Sequence, residues 1–219
     1  MNKLSRRDFL YCSACTAALS LTMPGDTWSF LGPSDKTAGP SDIRGQVFKG
    51  DAPATLWKWS HEAFFYKKLG HRKVVCGICP NRCVLAPGDR SVCRSRVNMD
   101  GTLYSLTYGN PCAVHIDPVE KKPLFHFLPQ TQVFSLATTG CNFRCLNCQN
   151  WQISQAKPHE VRHRELFPAD AVSVAQKSRS LSIAYTYSEA TTYFEYMLAT
   201  ARLAQTQGLK NLWISNGFI

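Results

Sequence analysis

The run Val133-Phe134-Ser135-Leu136-Ala137-Thr138 is short, apolar and rich in β-favouring residues, the pattern of a buried strand. Two further strand candidates follow, Leu181 to Tyr187 and Asn211 to Ser215. Between those two, Phe194, Met197, Leu198 and Ala201 fall on one face of a helix running roughly from Thr191 to Gln207. Gly208 stands where a residue in left-handed conformation would end that helix. Strand, helix, strand, helix, strand predicts βα units with parallel pairing, an α/β architecture.

The loop leaving the first of these strands carries the most specific chemistry in the chain. Cys141, Cys145 and Cys148 form a C-x-x-x-C-x-x-C triplet. A four-iron cluster takes one thiolate per iron, so three local cysteines leave one iron without a protein ligand. The alternatives are a zinc knuckle or unpaired core thiols, although zinc sites favour paired C-x-x-C knuckles. The position agrees with such chemistry, because ligands gather at the C-terminal ends of parallel strands.

Several separated blocks share one resemblance. They are Cys76-Gly77-Ile78-Cys79-Pro80-Asn81-Arg82-Cys83, Tyr108-Gly109-Asn110-Pro111-Cys112-Ala113-Val114-His115 and Glu120-Lys121-Lys122-Pro123-Leu124-Phe125-His126-Phe127, with the cysteine triplet and Ala184-Tyr185-Thr186-Tyr187-Ser188-Glu189. On these, from about Glu62 to the last residue, the chain resembles the radical S-adenosylmethionine (SAM) superfamily. More narrowly, it is similar to the radical SAM enzyme of the AmmeMemoRadiSam system, a relative of the pyruvate formate-lyase activating enzymes. The resemblance implies a partial (β/α) barrel and a 4Fe-4S cluster held by Cys141, Cys145 and Cys148. It also implies reductive cleavage of SAM to a 5′-deoxyadenosyl radical that abstracts hydrogen from a substrate. Glu189 matches the acidic position that accepts a hydrogen bond from the SAM ammonium, and Asn216-Gly217 resembles a block near SAM. Asn-Gly is also a common turn pair, and Glu189 could simply end its strand in solvent. Two positions depart from the family. Asn147 replaces the aromatic residue that lies near the adenine, with Trp151 available as a substitute, and Ala190 replaces a proline after the glutamate.

The first cysteine group along the chain, Cys76, Cys79, Cys83 and Cys93, has gaps of two, three and nine residues, with Cys112 further on. Four thiolates with a C-x-x-C opening suit a tetrahedral zinc ion, a second iron–sulfur cluster suits them equally, and free structural thiols remain a third reading. Between residues 71 and 96, six basic residues face one acid, Asp89, and this excess offers a shell to neutralise a thiolate-rich site. His71, His115 and His126 are left out of the ligand set.

At 219 residues and 44% apolar content the chain can bury one substantial core. The net charge of +10 is spread along the chain, with no lysine run interleaved with aromatics, so no specific nucleic-acid partner is expected. Ser5-Arg6-Arg7-Asp8-Phe9-Leu10 matches the twin-arginine export pattern, and the apolar run to Met23 is too short to span a membrane. Export to the periplasm is the location this predicts. Cytoplasmic SAM and reductant argue for the cytoplasm as the alternative, with a chance Arg-Arg pair. No transmembrane segment is expected.

The predicted organisation is a signal over 1–23, a linker over 24–55, a cysteine-rich segment over 56–130 and a radical SAM core over 131–219. Only 71 residues follow Cys148, room for three strands where the family's partial barrel has about six, so a truncated product or fragment is expected. Three functions compete. The first is a radical SAM enzyme acting on an unidentified small molecule or protein, with flavodoxin or ferredoxin as electron donor. The second is an activase of a glycyl-radical enzyme. The third is a non-catalytic exported iron–sulfur electron carrier or inactive fragment.

Overall fold

The computed structural model describes residues 46–219. The twin-arginine motif, Cys12, Cys15 and the linker up to residue 45 lie outside the described residues.

The first half is built from short strands that the hydrophobic pattern does not announce. Strands β1 (His61–Glu62), β5 (Arg96–Met99) and β6 (Thr102–Ser105) form one antiparallel sheet in the order β1-β6-β5. Strands β2 (Tyr66–Lys68), β3 (Val74–Cys76) and β4 (Val84–Leu85) form another, in the order β2-β3-β4. Their small shared core contains Val74, Cys76, Cys83, Leu85, Val92 and Leu103. Part of the stretch read as linker is already packed here: Phe48 bridges to Arg90, and Asp51 accepts from the Arg90 Nε at 2.7 Å.

The second half is a four-stranded sheet. Strand β7 (Ala113–Pro118) runs antiparallel to β8 (Gln132–Ala137), which is parallel to β9 (Ser182–Tyr185), itself parallel to β10 (Lys210–Trp213). Val133 lies opposite Ser182, and Ser182 opposite Lys210, so the C-terminal ends of the three parallel strands lie side by side. Between β8 and β9 come a single turn, α1 (Trp151–Ser154), and helix α2 (Pro168–Lys177). Pro168 at the first helical position, Asp170 in the first turn and Lys177 in the last suit both the backbone and the helix dipole.

Helix α3 (Phe194–Thr206) connects β9 to β10. The expected start at Thr191 is instead a 3-10 turn, Ala190–Tyr193, because the Glu189 side chain caps it through the Thr191 N–H. Gly208, at φ +77°, ends the helix: its N–H donates to the Gln205 carbonyl (3.1 Å) and the Leu209 N–H to that of Ala204 (3.0 Å). Phe134, Leu136, Ile183 and Tyr185 face α2 and α3 in the main core. The alternate residues Val133, Ala184 and Leu212 face the other way and pack with Val119, Leu124 and Phe127. Among the described residues no helix is long and apolar enough to cross a membrane.

Candidate metal centre

Strand β8 hands the chain to the cysteine loop through Gly140. Its φ is +97°, and a Cβ there would lie 2.3 Å from the Cys93 carbonyl oxygen, so only glycine fits this turn. The Gly140 N–H donates to the Ile153 carbonyl (2.9 Å), folding α1 back onto the start of the loop. Asn142 then anchors the loop from three sides. Its Oδ1 accepts from Asn216 Nδ2 (2.8 Å), its Nδ2 donates to the Phe218 carbonyl (2.9 Å), and its carbonyl accepts from Asn81 Nδ2 (3.1 Å).

The three thiols of this loop line one cavity of about 280 Å³ together with Glu189, Ser215 and Asn216. They reach it from the ends of three adjacent parallel strands, the placement that sheet geometry favours for a ligand. Cys145 is exposed, while Cys141 and Cys148 are half-buried. The Phe143 N–H points at Cys141 Sγ (3.4 Å), and Ser154 Oγ lies 3.3 Å from Cys148 Sγ. Burial pushes the Cys141 thiol up; the Phe143 and Glu189 backbone groups oppose this, and the charge of the Glu189 carboxylate adds to it. A bound metal would reverse this by taking the thiolate form.

Glu189 is buried against four donors. Its Oε1 accepts from the Thr191 N–H (3.0 Å) and hydroxyl (2.6 Å), and its Oε2 accepts from the Asn216 N–H (2.7 Å). The Ser215 hydroxyl lies between both oxygens, at 3.1 and 3.2 Å. A carboxylate offers about four acceptor sites, so these contacts nearly fill it. Ser215 is the weakest-held donor, and a cation entering the cavity would have to take its place. Gly217 does not line the cavity; its N–H donates to Ser215 Oγ (3.0 Å) and so positions that hydroxyl.

The first cysteine group lies directly behind the loop. Cys76 and Cys83 belong to the core of the small sheets, and the Cys76 N–H donates to the Cys83 carbonyl (3.0 Å). Cys93 Sγ lies 3.0 Å from Ser91 Oγ and 3.2 Å from Ser95 Oγ, and Ser95 donates to the Thr192 carbonyl beneath Glu189. Burial pushes the Cys79 thiol up to about 11 and the Cys83 thiol up to about 12, with neighbouring cysteines reinforcing both. Burial also raises Cys76, against the pull of the nearby Arg96. Of the basic shell, Arg72, Arg90 and Arg96 are paired with Asp100, Asp51 and Glu195.

Among the described residues no three Cys, His, Asp or Glu side chains converge as a site for one metal ion. A tetrahedral zinc site needs that convergence, with sulfurs at about 2.3 Å from one point. A four-iron cube does not, since it spreads its thiolates over separate irons. The donor set in the cavity, three thiols with no fourth cysteine lining it, fits such a cube.

Asn147 and Trp151 are both exposed, and neither lines the cysteine cavity. Sequence reasoning overlooked Ser215, Tyr187 and Asn142 as site residues. Ser215 and Asn142 sit immediately beside Asn216 and Cys141, and Tyr187 two residues before Glu189, so nearness in the chain was the available signal. Tyr187 has φ +64°, uncommon for a residue with a Cβ and costing on the order of 1–3 kcal/mol.

The chain is 51% identical over 158 residues to an uncharacterized protein of Methanocaldococcus jannaschii, a match that covers 72% of this chain and 47% of that relative. It therefore spans about half the length of the curated relative it matches. No protein-family model matches the chain, and no solved structure matches it.

Proposed function

We propose that this chain is a radical SAM enzyme, with β8, β9 and β10 as strands of a partial (β/α) barrel and the cysteine cavity as its cofactor site. The observation that carries the reading is the meeting of Cys141, Cys145, Cys148 and Glu189 in one cavity at the ends of three parallel strands. The three thiolates would hold three irons of a 4Fe-4S cluster and leave the fourth open to a chelating ligand. When bound, such a cluster supplies the electron that splits SAM into methionine and a 5′-deoxyadenosyl radical.

The chain's own residues do the rest. Glu189 is held in place by Thr191, Asn216 and Ser215, and receives the ligand's ammonium where the Ser215 hydroxyl now sits. A fixed carboxylate suits this task because charge-assisted hydrogen bonds are short and strong. Asn142 and Gly140 fix the loop, so the thiols do not need to be ordered when the metal arrives. In this reading the first cysteine group buttresses the loop from behind, through the Cys93 carbonyl against Gly140 and Asn81 on the Asn142 carbonyl.

The test is anaerobic reconstitution with iron and sulfide, followed by dithionite and SAM. Formation of 5′-deoxyadenosine supports the reading, and Cys145→Ala should abolish both the product and the cluster of that loop. A reducible cluster whose spectrum SAM leaves unchanged would replace the enzyme with an electron carrier. If a partner with a glycyl-radical loop acquires a radical in the same mixture, the enzyme is an activase.

A further inference from the structure

Beside the cysteine cavity lies a second cavity of about 630 Å³, more than twice its volume. The two share Tyr187 and Ile214 as a common wall. We infer that this second cavity binds an oxyanion, the carboxylate or phosphate of a ligand whose body extends toward the shared wall. Identifying that ligand as the substrate rests on the function proposed above; the anion site itself does not.

The walls are cationic and polar. Lys121 and Lys122 come from the turn after β7, His115 from β7 itself and Asn150 from the start of α1. No Asp or Glu lines the cavity. Asp117 stands behind the lysines and accepts from Lys121 (2.9 Å), from Lys122 (2.8 Å) and from the Tyr187 hydroxyl. A single carboxylate is thus divided between two ammonium groups, while the other acid of the turn, Glu120, is engaged away from them by the Gln130 N–H (2.6 Å). Lys122 is only 3% exposed and has its Nζ 4.4 Å from the centre of the Tyr187 ring. A buried cation sharing its counter-ion is incompletely compensated, and an incoming anion relieves that.

Tyr187 makes the link between the two cavities. Its carbonyl accepts from Asn150 Nδ2 (2.9 Å), its hydroxyl donates to Asp117 and its ring lies against the Lys122 ammonium. These contacts accompany a backbone in the left-handed region (φ +64°), uncommon for a residue with a Cβ. The tyrosine is thereby kept as a partition, with the basic cavity on one side and Glu189 and the thiols on the other. A ligand anchored by its anion on the lysines would present its far end to that partition.

The experiment is lysine-selective acetylation of the reconstituted full chain, read residue by residue by mass spectrometry. Inorganic phosphate and succinate serve as probes, and the exposed Lys177 on α2 is the internal control. A bound anion at about ten times its Kd should slow acetylation of Lys121 about tenfold and leave Lys177 unchanged. Lys122→Gln should remove the protection. Ala113→Glu, which adds an acid to the wall without touching Asp117, should remove it too and covers the case in which the buried lysine is needed for folding. Protection by phosphate alone would assign a phosphorylated ligand, and protection by succinate alone a carboxylate. Equal rates at Lys121 and Lys177 with both probes, or full protection in Ala113→Glu, would overturn the inference. The readout needs neither cluster nor SAM, so 5′-deoxyadenosine formation without protection would sink the anion site and leave the proposed function standing.

Discussion

The Cys93 carbonyl oxygen occupies the space a Cβ on Gly140 would need, 2.3 Å from where that atom would stand. Backbone meets backbone at this point, so the first cysteine group and the loop of the second are not independent modules. Asn81, two residues after Cys79, reinforces the junction through the Asn142 carbonyl at 3.1 Å. The geometry of one thiol set is therefore transmitted to the other without a flexible side chain between them.

Gly140→Ala should be severely disruptive. It combines a left-handed backbone with a direct clash, and the sum is about 2–5 kcal/mol. Chemical denaturation should show that loss, and iron bound after reconstitution should fall with it. An alanine variant of unchanged stability would mean that the two segments can separate.

Arg96 and Glu195 form an ion pair at 2.7 Å with both side chains fully buried. Burial opposes the guanidinium charge, but the facing Glu195 carboxylate more than offsets it and holds Arg96 protonated. The same carboxylate accepts from the Phe64 N–H (2.8 Å) and so ties β1 and β5 to α3. Glu195→Ala, which strands the arginine, should destabilise by about 3–5 kcal/mol, whereas replacing both partners with apolar residues should cost much less. Thermal unfolding of the single and double variants checks this.

Glu189→Gln and Ser215→Ala separate anchoring from support. The amide keeps the shape but loses the charge, and SAM binding should weaken about tenfold or more, matching a charged hydrogen bond of about 1.5–3 kcal/mol. Ser215→Ala removes the donor that the ligand displaces, so stability should drop by about 0.5–1.5 kcal/mol while SAM affinity stays level or rises. Equilibrium dialysis with SAM distinguishes them. Weaker binding in Ser215→Ala than in Glu189→Gln would reverse the assignment.

Asp117 sets an acid limb to stability. Burial alone would raise its carboxyl, but hydrogen bonds from Lys122, Tyr187 and Lys121 hold it well below the usual carboxylate range. Its native value is thus lower than the value of about 3.9 in an unfolded chain. The stabilisation it provides is present above that unfolded value and is lost as pH falls through the native one. Asp117→Asn should therefore be less stable at neutral pH and show a flatter loss of stability below about pH 4. Urea unfolding at a series of pH values reads both effects.

The strands at Val133, Ser182 and Lys210, the helix ended by Gly208 and the cysteine loop were all legible in the residue order. Their signals are local: a run of apolar residues, a helical period, a glycine in the right place. The strands β1 to β6 were not legible, because two to four residues show no period. Strand β9 ends two residues early because Tyr187 turns out of it at φ +64°, a conformation that its residue type disfavours and its long-range partners impose.

By itself, then, the order of residues determined where sulfur donors cluster and which segments become parallel strands, since neighbours in the chain decide both. Tertiary structure alone decided that Glu189 is gripped by Ser215 and Asn216, that Cys93 abuts Gly140 and that Asp117 is shared by two lysines and Tyr187. Asp117 and Tyr187 are 70 residues apart, and Asn81 and Asn142 are 61. Contacts at such separation exist only once the sheet and its flanking segments have closed around one core, and no local pattern in the chain encodes them.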